Sequence, residues 1–243
     1  MTAPLEQLRI LVIQIRERED VALHEQTCIA ERTGLPAERL DCVNIAMSAF
    51  PDWSRFVNAD AVIIGGSGLH SVTKEHPFSA ALRNAVRRVQ DEGKPMLGAC
   101  WGHQFIAAAL GGEVITDKPR GETGVNEVEL TDAAIADPLF AGLPRHFVAA
   151  MGHNDRVSVL PPDARELAIS SVCGNQAYRI GTSATYGTQF HTELSARRLV
   201  ERLEIYGEVY DRGDGGIDKL RAEMPPTPIA DGIMRRWLEL YVL

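Results

Sequence analysis

Residues 95–104 read PMLGACWGHQ. A short apolar run meets a cysteine set between Gly98-Ala99 and Trp101-Gly102, and a helix-forming stretch, HQFIAAALGG, follows it and closes on Gly111 and Gly112. G-x-C-x-G is the cysteine form of the nucleophile elbow, in which glycines allow a sharp strand-to-helix turn. A sulfur at such a turn projects from the strand end, where the helix N-terminus favours a thiolate and offers N–H groups to an oxyanion. The same pattern also suits a structural thiol at a tight helix–strand contact. Only residues elsewhere in the chain can separate the two readings.

Upstream, RILVIQI (9–15) is a continuous β-branched run of the kind buried on both faces of a parallel sheet. A helix is expected over VALHEQTCIAERTG, capped by Asp20 and ended by Gly34. LDCVNIA (40–46) and DAVIIGG (60–66) read as further strands, and PFSAALRNAVRRVQDEG (77–93) as a helix with an early proline and a terminal glycine. With PMLGAC as a fourth strand, strand and helix alternate four times, which predicts a doubly wound α/β sheet with its ligand site at the carboxyl ends of the strands. After Gly112 the grammar changes to short strands: EVIT, GVNEVELT, HFVAAM, RVSVL, ELAISSV, QAYRIG and TYGTQFHTE. They read as antiparallel strands added to a parallel core within a single domain. SARRLVERLEIYGEVY, GGIDKLRAEM and PIADGIMRRWLELYV are expected to be helices that cover an edge, lid the site or make a dimer contact.

Composition excludes several classes. The chain has 243 residues, 45% hydrophobic and 24% charged, the profile of a globular enzyme. A net charge of -8 without a basic stripe argues against nucleic acid as the main partner. The apolar run near the N-terminus is too short to span a bilayer and lacks the layout of a signal peptide, so no membrane role and a cytoplasmic location are expected. Cys28, Cys42, Cys100 and Cys173 are far apart and form no C-x-x-C pair, which suggests neither a zinc site nor a disulfide framework.

YGTQFHTEL supplies what a thiol nucleophile needs, a base and an acceptor that orients it. In an extended segment His191 and Glu193 point to the same side, so the carboxylate can hold one imidazole nitrogen while the other faces the thiol. GGSG (65–68) follows the strand DAVII and reaches the same sheet edge, where the Gly66 and Trp101 N–H groups form a plausible oxyanion pair. It fits a phosphate loop poorly, having neither G-x-G-x-x-G nor a Gly-Lys-Ser/Thr ending.

The set GGSG…SV, GACWGHQ, GHNDRVSVLPP and YGTQFHTE, in that order, is similar to the class I (triad-type) glutamine amidotransferases, near the glutaminase domain of GMP synthases, from about residue 8 to about residue 200. The resemblance implies a flavodoxin-like α/β fold and a Cys100/His191/Glu193 triad that cleaves the side-chain amide of glutamine through a γ-glutamyl thioester. It places Gly66 and Trp101 in the oxyanion hole and assigns substrate contacts to Gln104, Gly152, His153 and Asn154. Glu122, in RGETG, resembles a recurrent acidic position and is expected to accept a hydrogen bond near the site. His153 and Asp155 also suit loop-stabilising roles, and His103 packing or solvation. Cys28, Cys42 and Cys173 are expected to be buried apolar residues.

The chain departs from the family pattern in two places: Thr192 stands where proline is usual, and Gly152 where GMP synthases commonly carry serine. No ATP-pyrophosphatase signature follows residue 200, so any use of released ammonia is expected to need a synthetase in trans. Hydrolysis of a γ-glutamyl peptide or γ-glutamyl amine is the alternative. A third reading is a catalytically silent regulatory or binding protein, which the intact triad disfavours. A homodimer is a further possibility. No metal or cofactor is expected, because thiolate, imidazole and backbone amides carry the chemistry.

Overall fold

The structure is a computed structural model that describes residues 7–206, 221 and 224–243. Its strands are Ile10–Gln14 (β1), Leu40–Asn44 (β2), Ala61–Ile64 (β3), Met96–Ala99 (β4), Glu113–Thr116 (β5), Glu122–Leu130 (β6), His146–His153 (β7), Asp155–Val159 (β8), Ala164–Ile169 (β9), Ala177–Ile180 (β10) and Thr185–Thr188 (β11). The described α-helices are Glu19–Thr33 (α1), Trp53–Asn58 (α2), Ser79–Asp91 (α3), Trp101–Ala109 (α4), Asp132–Ile135 (α5), Ala196–Tyr206 (α6) and Pro228–Tyr241 (α7).

Nine strands form one sheet in the order β2-β1-β3-β4-β11-β10-β9-β6-β7. The first five are parallel and the rest antiparallel, so the flavodoxin-like, mostly parallel core with added antiparallel strands is present. β5 and β8 leave that sheet and pair with each other. β1, β3 and β4 are buried at every position because both of their faces are covered, whereas the edge strand β2 keeps Asp41 and Asn44 partly exposed. Period two sends Ile10, Val12, Ala61, Ile63 and Leu97 toward Ile29 of α1 and Met234 and Trp237 of α7. Leu11, Ile13, Val62, Ile64 and Met96 pack on the other face with Leu82 and Val86 of α3 and Phe105 and Ile106 of α4.

Several expectations need correction. α1 begins one residue before Asp20, with Arg18 at the N-cap. Asp20 instead lies in the first turn, where the helix dipole favours a carboxylate, and it accepts the Val21 N–H at 2.8 Å. The segment TYGTQFHTE is a strand only as far as Thr188. α2 is an element the sequence does not announce, since six residues are too few to show an apolar period. GGIDKLRAEM and the end of SARRLVERLEIYGEVY fall on residues 207–223, which lie outside the described residues except for 221. α7 belongs to the core and is not a lid: Trp237 is fully buried and donates from Nε1 to the Ala184 carbonyl at 3.0 Å.

The junction of β4 and α4 depends on the absence of side chains. A Cβ on Gly98 would lie 2.5 Å from the Gly102 carbonyl carbon, and one on Gly102 would collide with the Ile64 carbonyl oxygen. Backbone blocks both, so neither site can relax by rotating a side chain. Gly102→Ala should therefore cost on the order of 1–3 kcal/mol or more in urea denaturation. Gly232→Ala, in α7 with open space around its Cβ position, should stabilise by about 1 kcal/mol. Equal stability of the two variants would contradict this account of the elbow.

Candidate active site

Cys100 takes φ 51° and ψ -104°, a backbone conformation that costs an L-residue energy and persists only where its surroundings enforce it. Three constraints do so. The Gly98–Gly102 contact brings α4 onto the strand, the Cys100 N–H donates to the Thr188 carbonyl at 2.8 Å, and the Gln104 N–H donates to the Cys100 carbonyl at 3.2 Å. The thiol is thus held at the carboxyl end of β4, next to the point between β1 and β3 where the sheet order reverses.

His191 arrives from the neighbouring strand. Past the end of β11 the chain makes an isolated bridge to β7, with the His191 N–H donating to the Ala150 carbonyl at 2.9 Å. The imidazole Nδ1 lies 2.7 Å from Glu193 Oε1, and the Cys100 sulfur is near enough to act on the charge of the ring. His191 and Glu193 do lie together, but the bridge and the bend after Thr188 bring this about, in place of a continued strand. Burial opposes charge on His191, yet the Glu193 carboxylate and the Cys100 sulfur outweigh it and raise the imidazole well above its ordinary value. Burial works against Glu193 too, but His191 holds its carboxyl below the usual range. Both groups are buried, so their interaction is poorly screened.

Gly66 lies against both reacting groups: a Cβ there would be 3.7 Å from Cys100 Cβ and 3.7 Å from His191 Cε1. Trp101 is the first residue of α4, so its N–H is one of those a helix leaves without an intrahelical partner. The Gly152 carbonyl is 3.7 Å from Cys100 Sγ, and a Cβ on Gly152 would be 3.7 Å from His191 Nε2. Gln104 lines the cleft, but its amide donates inward to the Asp155 carbonyl at 2.7 Å and to Gln189 Oε1 at 3.0 Å. The His153 ring is buried and turned to Glu122, while Asn154 lies on the cleft wall. Asp155 ties the loop through Ser71 and Thr116. His103 is fully buried, with its ring 4.7 Å from that of Tyr178. The cleft, of about 350 Å³, has Cys100, Gln104, Gly152 and Asn154 in its walls and reaches Lys74 and Lys118.

Sequence alone misses three participants. Gln189 approaches Cys100 Sγ at 3.8 Å through Nε2, and its place two residues before His191 is the available signal. Arg16, at the end of the first apolar run, is buried and paired with Glu25, and its Nη2 lies 3.2 Å from where a Gly66 Cβ would sit. Nothing in the sequence flags that pair, because α1 brings it together. Cys173 is buried as expected, but among polar groups and not apolar ones: its thiol lies 3.3 Å from Glu122 Oε2, the acceptor predicted near the site. Glu122, His153 and Cys173 are the group among the described residues whose donor atoms suit a metal ion.

The chain is similar to several known proteins. The family model described as glutamine amidotransferase class-I matches residues 38–203. The glutamine-hydrolyzing GMP synthase A subunit of Methanothermobacter thermautotrophicus is 36% identical over 128 residues, 53% of this chain and 66% of that protein. Its counterpart from Methanocaldococcus jannaschii is 39% identical over 115 residues, 46% of this chain and 58% of that protein. The chain thus spans somewhat under two thirds of the length of these two relatives. A glutamine amidotransferase structure from Thermotoga maritima superimposes with a TM-score of 0.73 at 23% identity, covering 98% of this chain and 99% of that one, which shows a shared fold. No described helix is long and apolar enough to cross a membrane. With a family match across most of its length and a cysteine elbow beside a paired histidine and glutamate, the chain belongs to the class-I glutamine amidotransferase family.

Proposed function

We propose that this protein, as one amidotransferase-like domain, hydrolyses the side-chain amide of glutamine, with Cys100 as nucleophile, His191 as proton carrier and Glu193 as the group that orients and charges His191. The observation that carries this reading is the enforced positive φ of Cys100 beside an imidazole tied to a buried carboxylate. The sulfur attacks the amide carbon, and the negative charge on the carbonyl oxygen is taken up by the N–H groups of Gly66 and Trp101. His191 passes its proton to the departing nitrogen, so ammonia leaves and a γ-glutamyl thioester stays on Cys100. His191 then takes a proton from water as it attacks the thioester, which frees glutamate and restores the thiol. Gln104, Gly152, His153 and Asn154 shape the wall that receives the amino-acid end, His153 through its backbone and its fixed ring.

The released ammonia serves a separate synthetase, a reading supported by relatives named as the A subunits of glutamine-hydrolyzing GMP synthases. A second reading, cleavage of γ-glutamyl peptides or amines, is favoured by the cleft itself, whose walls run to Lys74 and Lys118 and leave room for a leaving group larger than ammonia.

Cys100→Ala should lower ammonia release from glutamine by about 10³-fold or more while leaving the melting curve close to that of the wild type. Equal rates would remove the nucleophile assignment. His191 keeps its proton below its raised value, so kcat/KM should hold through neutral pH and fall on the alkaline side as the imidazolium deprotonates. Glu193→Gln removes the charge that raises His191, so this alkaline limb should move to lower pH and the rate drop by about 10²-fold or more; an unmoved limb would count against the pairing. Competition among glutamine, γ-glutamyl amino acids and γ-glutamyl amines, read as ratios of kcat/KM, decides between the two readings. Preference for glutamine supports the first, and preference for a larger leaving group the second.

A further inference from the structure

Behind the cleft wall lies a second cluster with the chemistry of a site. Glu122 on β6, His153 at the end of β7, and Cys173 and Gln176 before β10 bring polar side chains to one point, and all four residues are buried. Glu122 Oε2 is 3.2 Å from His153 Nε2 and 3.3 Å from Cys173 Sγ. The Gln176 amide nitrogen closes the cluster, donating to Glu122 Oε2 at 2.5 Å and lying 3.0 Å from Cys173 Sγ, and its Oε1 has no hydrogen-bond partner among the described residues.

The hydrogen-bond geometry of His153 is compatible with a ligand role. His153 Nδ1 lies 3.1 Å from the Asp155 carbonyl, which only accepts, so Nδ1 carries the hydrogen. Nε2 in a neutral ring then presents a lone pair to a carboxylate oxygen, which also only accepts. A hydrogen on one of the two groups, or a metal ion between them, resolves that contact. A ligating histidine whose other nitrogen donates to a backbone carbonyl is the usual arrangement around protein-bound metals. Both distances from Glu122 Oε2 are close to the spacing of about 3.3–3.7 Å between neighbouring ligand atoms around tetrahedral zinc with bonds of about 2.0–2.3 Å, and all three donor atoms lie within 4.8 Å of one another. One thiolate, one imidazole and one carboxylate form a borderline donor set that suits zinc better than magnesium or calcium.

We infer that Glu122 Oε2, His153 Nε2 and Cys173 Sγ form a binding site for a divalent transition-metal ion of the zinc type, with the Gln176 amide as its fourth wall. Turned over about its terminal bond, that amide presents Oε1 as a fourth oxygen donor. Binding forms the sulfur–metal bond and releases the Cys173 proton to solvent. The site is separate from the acyl-transfer chemistry, which uses no metal. It ties β6, β7 and the turn before β10 together one residue from Gly152, whose carbonyl faces Cys100 Sγ.

The test uses the full chain carrying Cys100→Ala, so that the active-site thiol cannot supply a ligand. Equilibrium dialysis against Co²⁺ should leave one bound ion with a sulfur-to-cobalt charge-transfer band in the near ultraviolet, and added Zn²⁺ should abolish the band. Adding Cys173→Ser should remove it. If that double variant does not fold, X-ray absorption at the zinc edge of the zinc-loaded Cys100→Ala protein decides, with one sulfur at about 2.3 Å and the remaining ligands nitrogen or oxygen. Failure to retain metal, a band that survives Cys173→Ser, or a zinc shell without sulfur overturns the inference and leaves a hydrogen-bonded cluster.

Discussion

The active-site geometry depends on one steric fact: two glycines let the first turn of α4 rest directly on the β3 and β4 backbone. With side chains at Gly98 or Gly102, the helix would have to move away from the Gly102 and Ile64 backbone. That close approach forces the chain through a positive φ at Cys100, and the strain puts the sulfur outside the end of the strand. β11, parallel to β4, supplies the Thr188 carbonyl that holds the Cys100 N–H, and three residues later the same segment delivers His191. Cys100 and His191 thus follow the ends of adjacent strands of one sheet, with His191 further fixed by its bridge to Ala150 of β7.

A second constraint is electrostatic. Burying a carboxylate and an imidazole separately is costly, whereas together they hold each other charged, as the opposite shifts of His191 and Glu193 show. The neighbourhood adds further buried charge: Arg16 pairs with Glu25 beneath Gly66, and Arg202 of α6 is buried with its Nε donating to His24 Nδ1 at 2.8 Å. Burial and the Arg202 charge keep His24 neutral, down to about 4, which lets its nitrogen accept. Such interior pairs tie α1 to the end of β1 and to α6, and add little net stability.

Much of this is legible in the chain. Largely apolar runs mark β1 to β4 to within a residue or two, because burial in the sheet leaves few places for polar residues until the turns. The elbow and His191/Glu193 are legible because their chemistry needs specific residue types at short spacing. Contacts between distant segments are not. Gln104 reads as free to meet substrate, but the β7–β8 turn supplies the Asp155 carbonyl and the end of β11 supplies Gln189, so its amide is turned inward. Cys173 reads as a small apolar residue because the carboxylate beside its thiol comes from β6, 51 residues away. The strand in TYGTQFHTE reads too long since its pattern continues past Thr188, and only the bridge to Ala150 shows where pairing stops.

The central claim is that Cys100 becomes acylated by a γ-glutamyl group. Rapid mixing of the wild-type protein with glutamine, an acid quench during turnover, and peptide mass spectrometry test it most directly. The account predicts an added glutamyl unit on the peptide carrying Cys100, lost on treatment with hydroxylamine. Ammonia release with no adduct on that peptide, or with the adduct on Cys28, Cys42 or Cys173, would contradict it.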